Sequence, residues 1–253
     1  MNATVIAVIV FACVFGGALA GMALHGKLPD HHLAGGSSDV VKLVMGLIGT
    51  MSALVLGLLI ASAKGTYDTQ TSDVTQLSAS VVELDRILAI YGPETKETRE
   101  SLRQTVIDGM AQIWPSDSAA SANLAPLKNK AKSDAIFRAI QTLSSQTDEQ
   151  RNIKSEALQI TTNIFHTRLL MYAQRGASIP LPFLIILVSW LVLLFVGFGL
   201  LTQFNGTVVT ALLIGALSVA GAIFLILELD QPYNGFMRIS SAPMQAALAQ
   251  MSQ

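Results

Sequence analysis

Residues 43–63 read LVMGLIGTMSALVLGLLIASA, twenty-one positions without a charge, closed by Lys64. At a rise of 1.5 Å per residue such a segment covers a hydrocarbon core of roughly 30 Å. A backbone in lipid must satisfy its own hydrogen bonds, which makes the segment a helix. Three more stretches have the same character: 3–24, 179–202 and 207–227. The charge missing from them is missing from the chain as a whole. Only 13% of residues are charged and 51% are hydrophobic, where soluble domains carry about a quarter charged. The expected fold class is therefore an all-α integral membrane protein with four transmembrane helices in two hairpins and a helical cytoplasmic domain between them. The lipid bilayer is its first partner.

Working outward from 43–63, the chain divides into a first hairpin (1–63), a central region (64–178), a second hairpin (179–228) and a tail (229–253). The opening MNATVIAV carries no positive charge, unlike a secretory signal, so 3–24 is expected to stay as a span. The lone Cys13 lies within it and reads as a small apolar packing residue. Lys64, Arg168, Arg175 and Arg238 flank the membrane on one side, and Lys27 and Lys42 on the other. The positive-inside rule then places both termini and the central region in the cytoplasm, within a bacterial inner membrane.

The central region holds equal numbers of basic and acidic residues and no basic stripe, which excludes nucleic acid as a partner. Val74, Leu77, Val81, Leu84, Leu88 and Tyr91 step by three and four, the spacing of one helix face, until Gly92-Pro93 ends it. Nothing interrupts the chain between 63 and 74, so one long helix is expected to continue out of the second span. Ile153, Ala157, Ile160, Ile164, Thr167 and Met171 form a returning seam, widened by Leu158, Phe165 and Tyr172. Shorter helices are expected at about 94–114 and 133–146, with 115–132 as a loop. Both seams suit an intramolecular bundle or contacts between subunits.

Catalytic motifs are missing: no Gly-x-Ser-x-Gly, no phosphate-binding glycine loop and no His-Glu-x-x-His. No enzyme, metal or cofactor is expected. His31 and His32 are adjacent, a poor chelating pair, and read as part of a polar loop. In the first span Gly17 and Gly21 form a Gly-x-x-x-Gly pair. In the second, Gly46, Thr50, Ala53, Gly57 and Ala61 share one face, and small residues let helices approach closely. That face, or the opposite one with Ile48, Ser52, Val55 and Leu59, is also a candidate pore lining, gated by dewetting at an apolar constriction. No ionisable residue lies deep in a span, which argues against proton-coupled transport.

Beyond the fourth span stands LELDQPYNGFMRISSAPMQAAL (227–248). Glu228 and Asp230 end a helix where cations are favoured, so basic partners are expected, Lys64, Arg175 and Arg238 being in range of the boundary, or a bound cation. Pro232 and Gly235 turn the chain, Pro243 suits the first turn of a short helix, and Met244, Leu248 and Met251 share its face. A docked tail results.

This block and LPDHHLAGGSSDVVKLVMGLIGTMSALVLGLLIASAKGTYD (28–68) resemble the signature blocks of a bacterial membrane-protein family of unknown function termed bestrophin-like. The resemblance extends over the whole chain. It implies a relation to bestrophins, pentameric anion channels whose second helix lines a hydrophobic neck. The implied function is thus a homo-oligomeric, pentameric channel for a small anion, with 43–63 at the pore. Unlike bestrophin necks, 43–63 has no aromatic residue, and Glu228 and Asp230 are separated by Leu229 where calcium-gated bestrophins carry consecutive acids. The alternative is a non-conducting membrane scaffold or sensor that binds a protein through its cytoplasmic helices.

Overall fold

The computed structural model describes residues 2–26, 36–114, 126–174, 179–233 and 235–252. Helices α1 (Ala3–His25), α2 (Gly36–Tyr91), α3 (Lys96–Ile113), α4 (Pro126–Thr142), α5 (Asp148–Gln174), α6 (Leu181–Leu200), α7 (Gly206–Leu229) and α8 (Ala242–Gln250) follow in order, with a 3-10 turn at Pro93–Thr95. No strand occurs among the described residues. Four helices, α1, α2, α6 and α7, are long and apolar enough to cross a membrane.

The chain forms two compact units, Met1–Tyr67 with Ser178–Met237, and Asp68–Ala177 with Arg238–Gln253. The expected tail is thereby divided at Met237. In the first unit Val14, Ala18, Leu187, Ala216, Ile223 and Ile226 are fully buried. Helix α1 meets α6 through glycines: a Cβ at Gly21 would overlap the carbonyl oxygen of Val196, and one at Gly199 would overlap that of Ala18. Gly17 is looser, its Cβ position 3.2 Å from methyls of Val192 and Val196. His25 Nδ1 lies 2.8 Å from the Leu200 oxygen. The contacts advance together along both helices, so α1 and α6 run in the same sense. Helix α2 runs against them, since Met45 packs at Gly197 and Gly49 at Leu194. Helix α7 starts at an N-cap, Asn205, whose side chain accepts the Thr207 amide at 3.2 Å.

The expected long helix is present as α2, 56 residues without a break, and it ends at Gly92-Pro93. Val74, Leu77, Val81, Leu84, Leu88 and Tyr91 are all buried within this chain, so their seam is intramolecular. Leu84 and Leu88 pack with Leu102 of α3, Ile136 and Ile140 of α4, Ala157 of α5 and Met251 beyond α8. The tail is fastened by Trp114, whose indole Nε1 donates to the Ile239 oxygen at 2.9 Å, and by the buried Met244. Helix α4 departs from expectation. It begins at Pro126, about seven residues before the start that the apolar spacing suggested, and ends at Thr142, about four before the suggested end. Proline fits a first helical turn, where no amide is needed, and the stretch it opens carries none of the apolar positions that marked the expected helix.

Candidate functional site

The two faces of α2 between residues 43 and 63 have different surroundings. Met45, Leu59 and Ala63 are buried, with Ile48, Val55 and Leu56 packed on the same core. Ser52 lies on this side, 3% exposed, and its hydroxyl has no hydrogen-bond partner among the described residues. The other face meets nothing among the described residues. A Cβ placed at Gly46 or Gly57 finds no atom within 4 Å, and Thr50, Ala53 and Ala61 are exposed. Leu43, Leu47, Leu54 and Leu58 stand beside them, 61–76% exposed. Of the candidate residues, Ile48, Ser52, Val55 and Leu59 therefore pack inside the first unit. Gly46, Thr50, Ala53 and Gly57 remain on an unpartnered apolar arc. Thr50 satisfies its own hydroxyl by donating to the Leu47 oxygen at 2.8 Å. Helix α2 is also the least buried of the four apolar helices, 17% of its most apolar window against 33% for α1 and α6.

At the end of α7 Glu228 is placed differently from the expectation of a basic partner. Glu228 is 6% exposed. Its Oε2 accepts the backbone amides of Phe236 at 2.7 Å and Met237 at 3.5 Å. No basic side chain among the described residues pairs with it. The carboxylate sits where Gly235, at φ 93°, brings the chain back, and a Cβ there would lie 2.9 Å from Glu228 Cδ. Glu228 is thus the clasp of a return turn, which explains why an acid stands at a helix C-terminus: its acceptors serve later amides. Asp230 Oδ2 accepts the Ile179 amide at 3.3 Å, joining the end of α7 to the start of α6. Pro232 is buried beside this turn. Lys64 lies over the Tyr67 ring at 5.6 Å. Arg175, His31 and His32 lie outside the described residues. Among the described residues no group of three or more His, Cys, Asp or Glu side chains could hold a metal.

The turn clasp was missed in the sequence because its donors are main-chain groups. The one signal for it was a glycine seven residues after an acid at a helix end. The exposed arc was half visible: both faces of 43–63 qualified, and only the positions of α1, α6 and α7 separate them.

A Bestrophin-like domain model matches residues 12–244. The fold is similar to the crystal structure of a bacterial bestrophin homologue from Klebsiella pneumoniae carrying an isoleucine-to-threonine mutation. That similarity covers 97% of both chains with a TM-score of 0.66, at 12% sequence identity. No curated protein sequence matches. A domain match over nearly the full length, with the four long apolar helices in place, establishes that this chain belongs to the bestrophin-like family.

Proposed function

We propose that the chain is one subunit of an oligomeric ion channel in a bacterial inner membrane, conducting a small anion, with α2 around the central axis. The observation that carries this reading is the unpartnered arc of α2. A helix whose core side is fully engaged, yet which leaves Leu43, Leu47, Thr50, Leu54, Gly57 and Ala61 outward, has a surface for neighbouring copies and a conduit. A four-span protomer has no room for its own pore, so the conduit lies on a symmetry axis. Its wall is apolar and gates by wetting and dewetting. The senses of α1, α2 and α6 support two hairpins with both termini and the unit built on Asp68–Ala177 on one side, the cytoplasmic one. Anion preference and a pentamer follow from the bestrophin relation. Bestrophins are ion channels, and on that relation the protein is read as a channel rather than an enzyme.

The test is the subunit count in nanodiscs by native mass measurement, followed by planar-bilayer currents for Leu54→Ser and Val55→Ser. A pentamer is expected, with Leu54→Ser raising conductance and Val55→Ser, turned toward the core, leaving it unchanged. A monomer or dimer, or currents indifferent to Leu54, would overturn the channel and leave the membrane scaffold or sensor.

A further inference from the structure

The unit built from Asp68–Ala177 and Arg238–Gln253 is not closed at its centre. A cavity of about 80 Å³ lies among α2, α3, α4, α5 and α8. Its walls are apolar, with Leu84, Ile136, Ile164, Met110, Met171 and Met244 among them. Thioether side chains adapt to varied shapes, so the three methionines give a lining that accommodates rather than one that selects by rigid fit.

Arg168 is the cation in this lining, and it is half-buried. Its Nη1 donates to Ser133 Oγ at 2.9 Å, and no carboxylate among the described residues pairs with it. A guanidinium has five N–H donors in a planar fork suited to a carboxylate. The other polar groups in the wall are already engaged. Trp114 donates to the Ile239 oxygen, Thr105 and Thr161 donate to the carbonyls of Ser101 and Ala157, and the Tyr172 hydroxyl reaches Gln112 Oε1 at 3.4 Å. The cation alone has donors left over.

Gly109 points the same way. It stands inside α3, where glycine costs about 1 kcal/mol against alanine, and a Cβ there would meet nothing within 4 Å. Packing does not demand the glycine. It keeps the cavity wide.

We propose that this cavity binds a short-chain carboxylate, its head on the Arg168 guanidinium and its hydrocarbon chain among the methionines and leucines. The size sets the class: the space is about half of the ~150 Å³ that admits benzene in an engineered apolar cavity, enough for a few methylenes. Leu77, Val81 and Leu84, which form one wall, belong to α2. The occupant therefore touches the helix that carries the candidate pore face, though binding itself does not depend on whether the chain conducts.

The test uses the full chain in detergent with Trp190→Phe, leaving Trp114 as the remaining tryptophan. Titration with 5-bromopentanoate is read by heavy-atom quenching of Trp114, which lines the cavity. Saturable quenching is expected, about tenfold or more weaker in Arg168→Gln and largely restored in Arg168→Lys, as loss and return of a charge-assisted contact require. Gly109→Leu, which fills the space from an open position, is expected to abolish it, and 5-bromopentanol to quench without saturation. Non-saturating quenching by the carboxylate would overturn the proposal. So would equal affinity in the wild-type and Arg168→Gln backgrounds, or binding that survives Gly109→Leu.

Discussion

At the scale of single residues, the second unit holds two buried carboxylates, each paired with a cation that reaches the surface. Arg99 grips Asp85 through two parallel bonds, Nε to Oδ1 and Nη2 to Oδ2, both 2.8 Å. Asp108 is buried, 7% exposed, and takes Lys132 and Gln104. Burial alone would raise the Asp108 pKa, but the hydrogen bonds from Lys132 and Gln104 and the Lys132 charge outweigh it and hold the carboxyl below its usual 3.8. A carboxyl whose pKa is lower folded than unfolded lends stability that is complete above the unfolded value and is lost as pH falls through the folded one. The window here is therefore pH 4 and below, not neutral pH. Lys132 is 44% exposed, so solvent screening limits the effect to about 1 kcal/mol. Asp108→Asn is expected to lower the thermal midpoint of the detergent-purified protein by a constant amount at pH 7 and pH 5. The gap should narrow at pH 3.5; a gap that widens toward acid would mean the carboxyl is not held in its charged form.

At the scale of elements, the glycines of the spans do different work although their spacing looks alike. Gly21 and Gly199 lie where α1 and α6 touch backbone to backbone, so an added methyl has nowhere to go. Gly21→Ala and Gly199→Ala are expected to cost about 1–3 kcal/mol each, the range for overfilled packing, seen as a lower melting temperature and poorer monodisperse yield. Gly46→Ala and Gly57→Ala meet open space and are expected to cost nothing and to raise protomer stability by up to about 1 kcal/mol, the helix preference of alanine over glycine. Equal losses in both pairs would mean that the α2 face is packed as tightly as the α1–α6 crossing. The sequence showed the Gly17–Gly21 pair but not its partner. That partner is Gly199, far along the chain, and its identity depends on the shared direction of α1 and α6. Helix existence was easier to read. Four apolar runs of spanning length and the three-four spacing of Val74 to Tyr91 each state a local requirement that no distant contact can alter. The start of α4 was not legible, because Pro126 begins a stretch of Lys, Asn and Ser with no apolar face to mark it.

At the scale of the whole molecule, the unread part of the site is the part that depends on neighbours. Ile48, Ser52, Val55 and Leu59 were as eligible a pore face as Gly46, Thr50, Ala53 and Gly57, since a helix does not record which side its bundle will take. The placement of Glu228 was hidden for a related reason: its partners are amides, and every residue but proline has one. What the sequence did state plainly is that nothing breaks the helix between Leu43 and Tyr91, and that continuity makes a testable demand. Helix α2 contributes residues up to Tyr67 to one unit and from Asp68 to the other, over a length of about 84 Å. If it is one rigid element in solution, Lys64, although exposed, sits on backbone that trypsin cannot unwind. Thr69→Pro removes an amide from the helical ladder and clashes with the preceding turn, a cost of about 3 kcal/mol. Each unit keeps its own core in that variant, because the buried residues of one cluster lie at or before Ala63 and from Leu184 to Leu229, and those of the other from Val81 to Ala157 and at Met251. Trypsin is therefore expected to leave the wild-type junction intact and to cut Thr69→Pro after Lys64, giving peptides that end at Lys64 and begin at Gly65 by mass spectrometry. Rapid cutting of the wild type at the same bond would show that the two units are joined by a hinge, and a change at the cavity could not then travel along α2 to the exposed leucines.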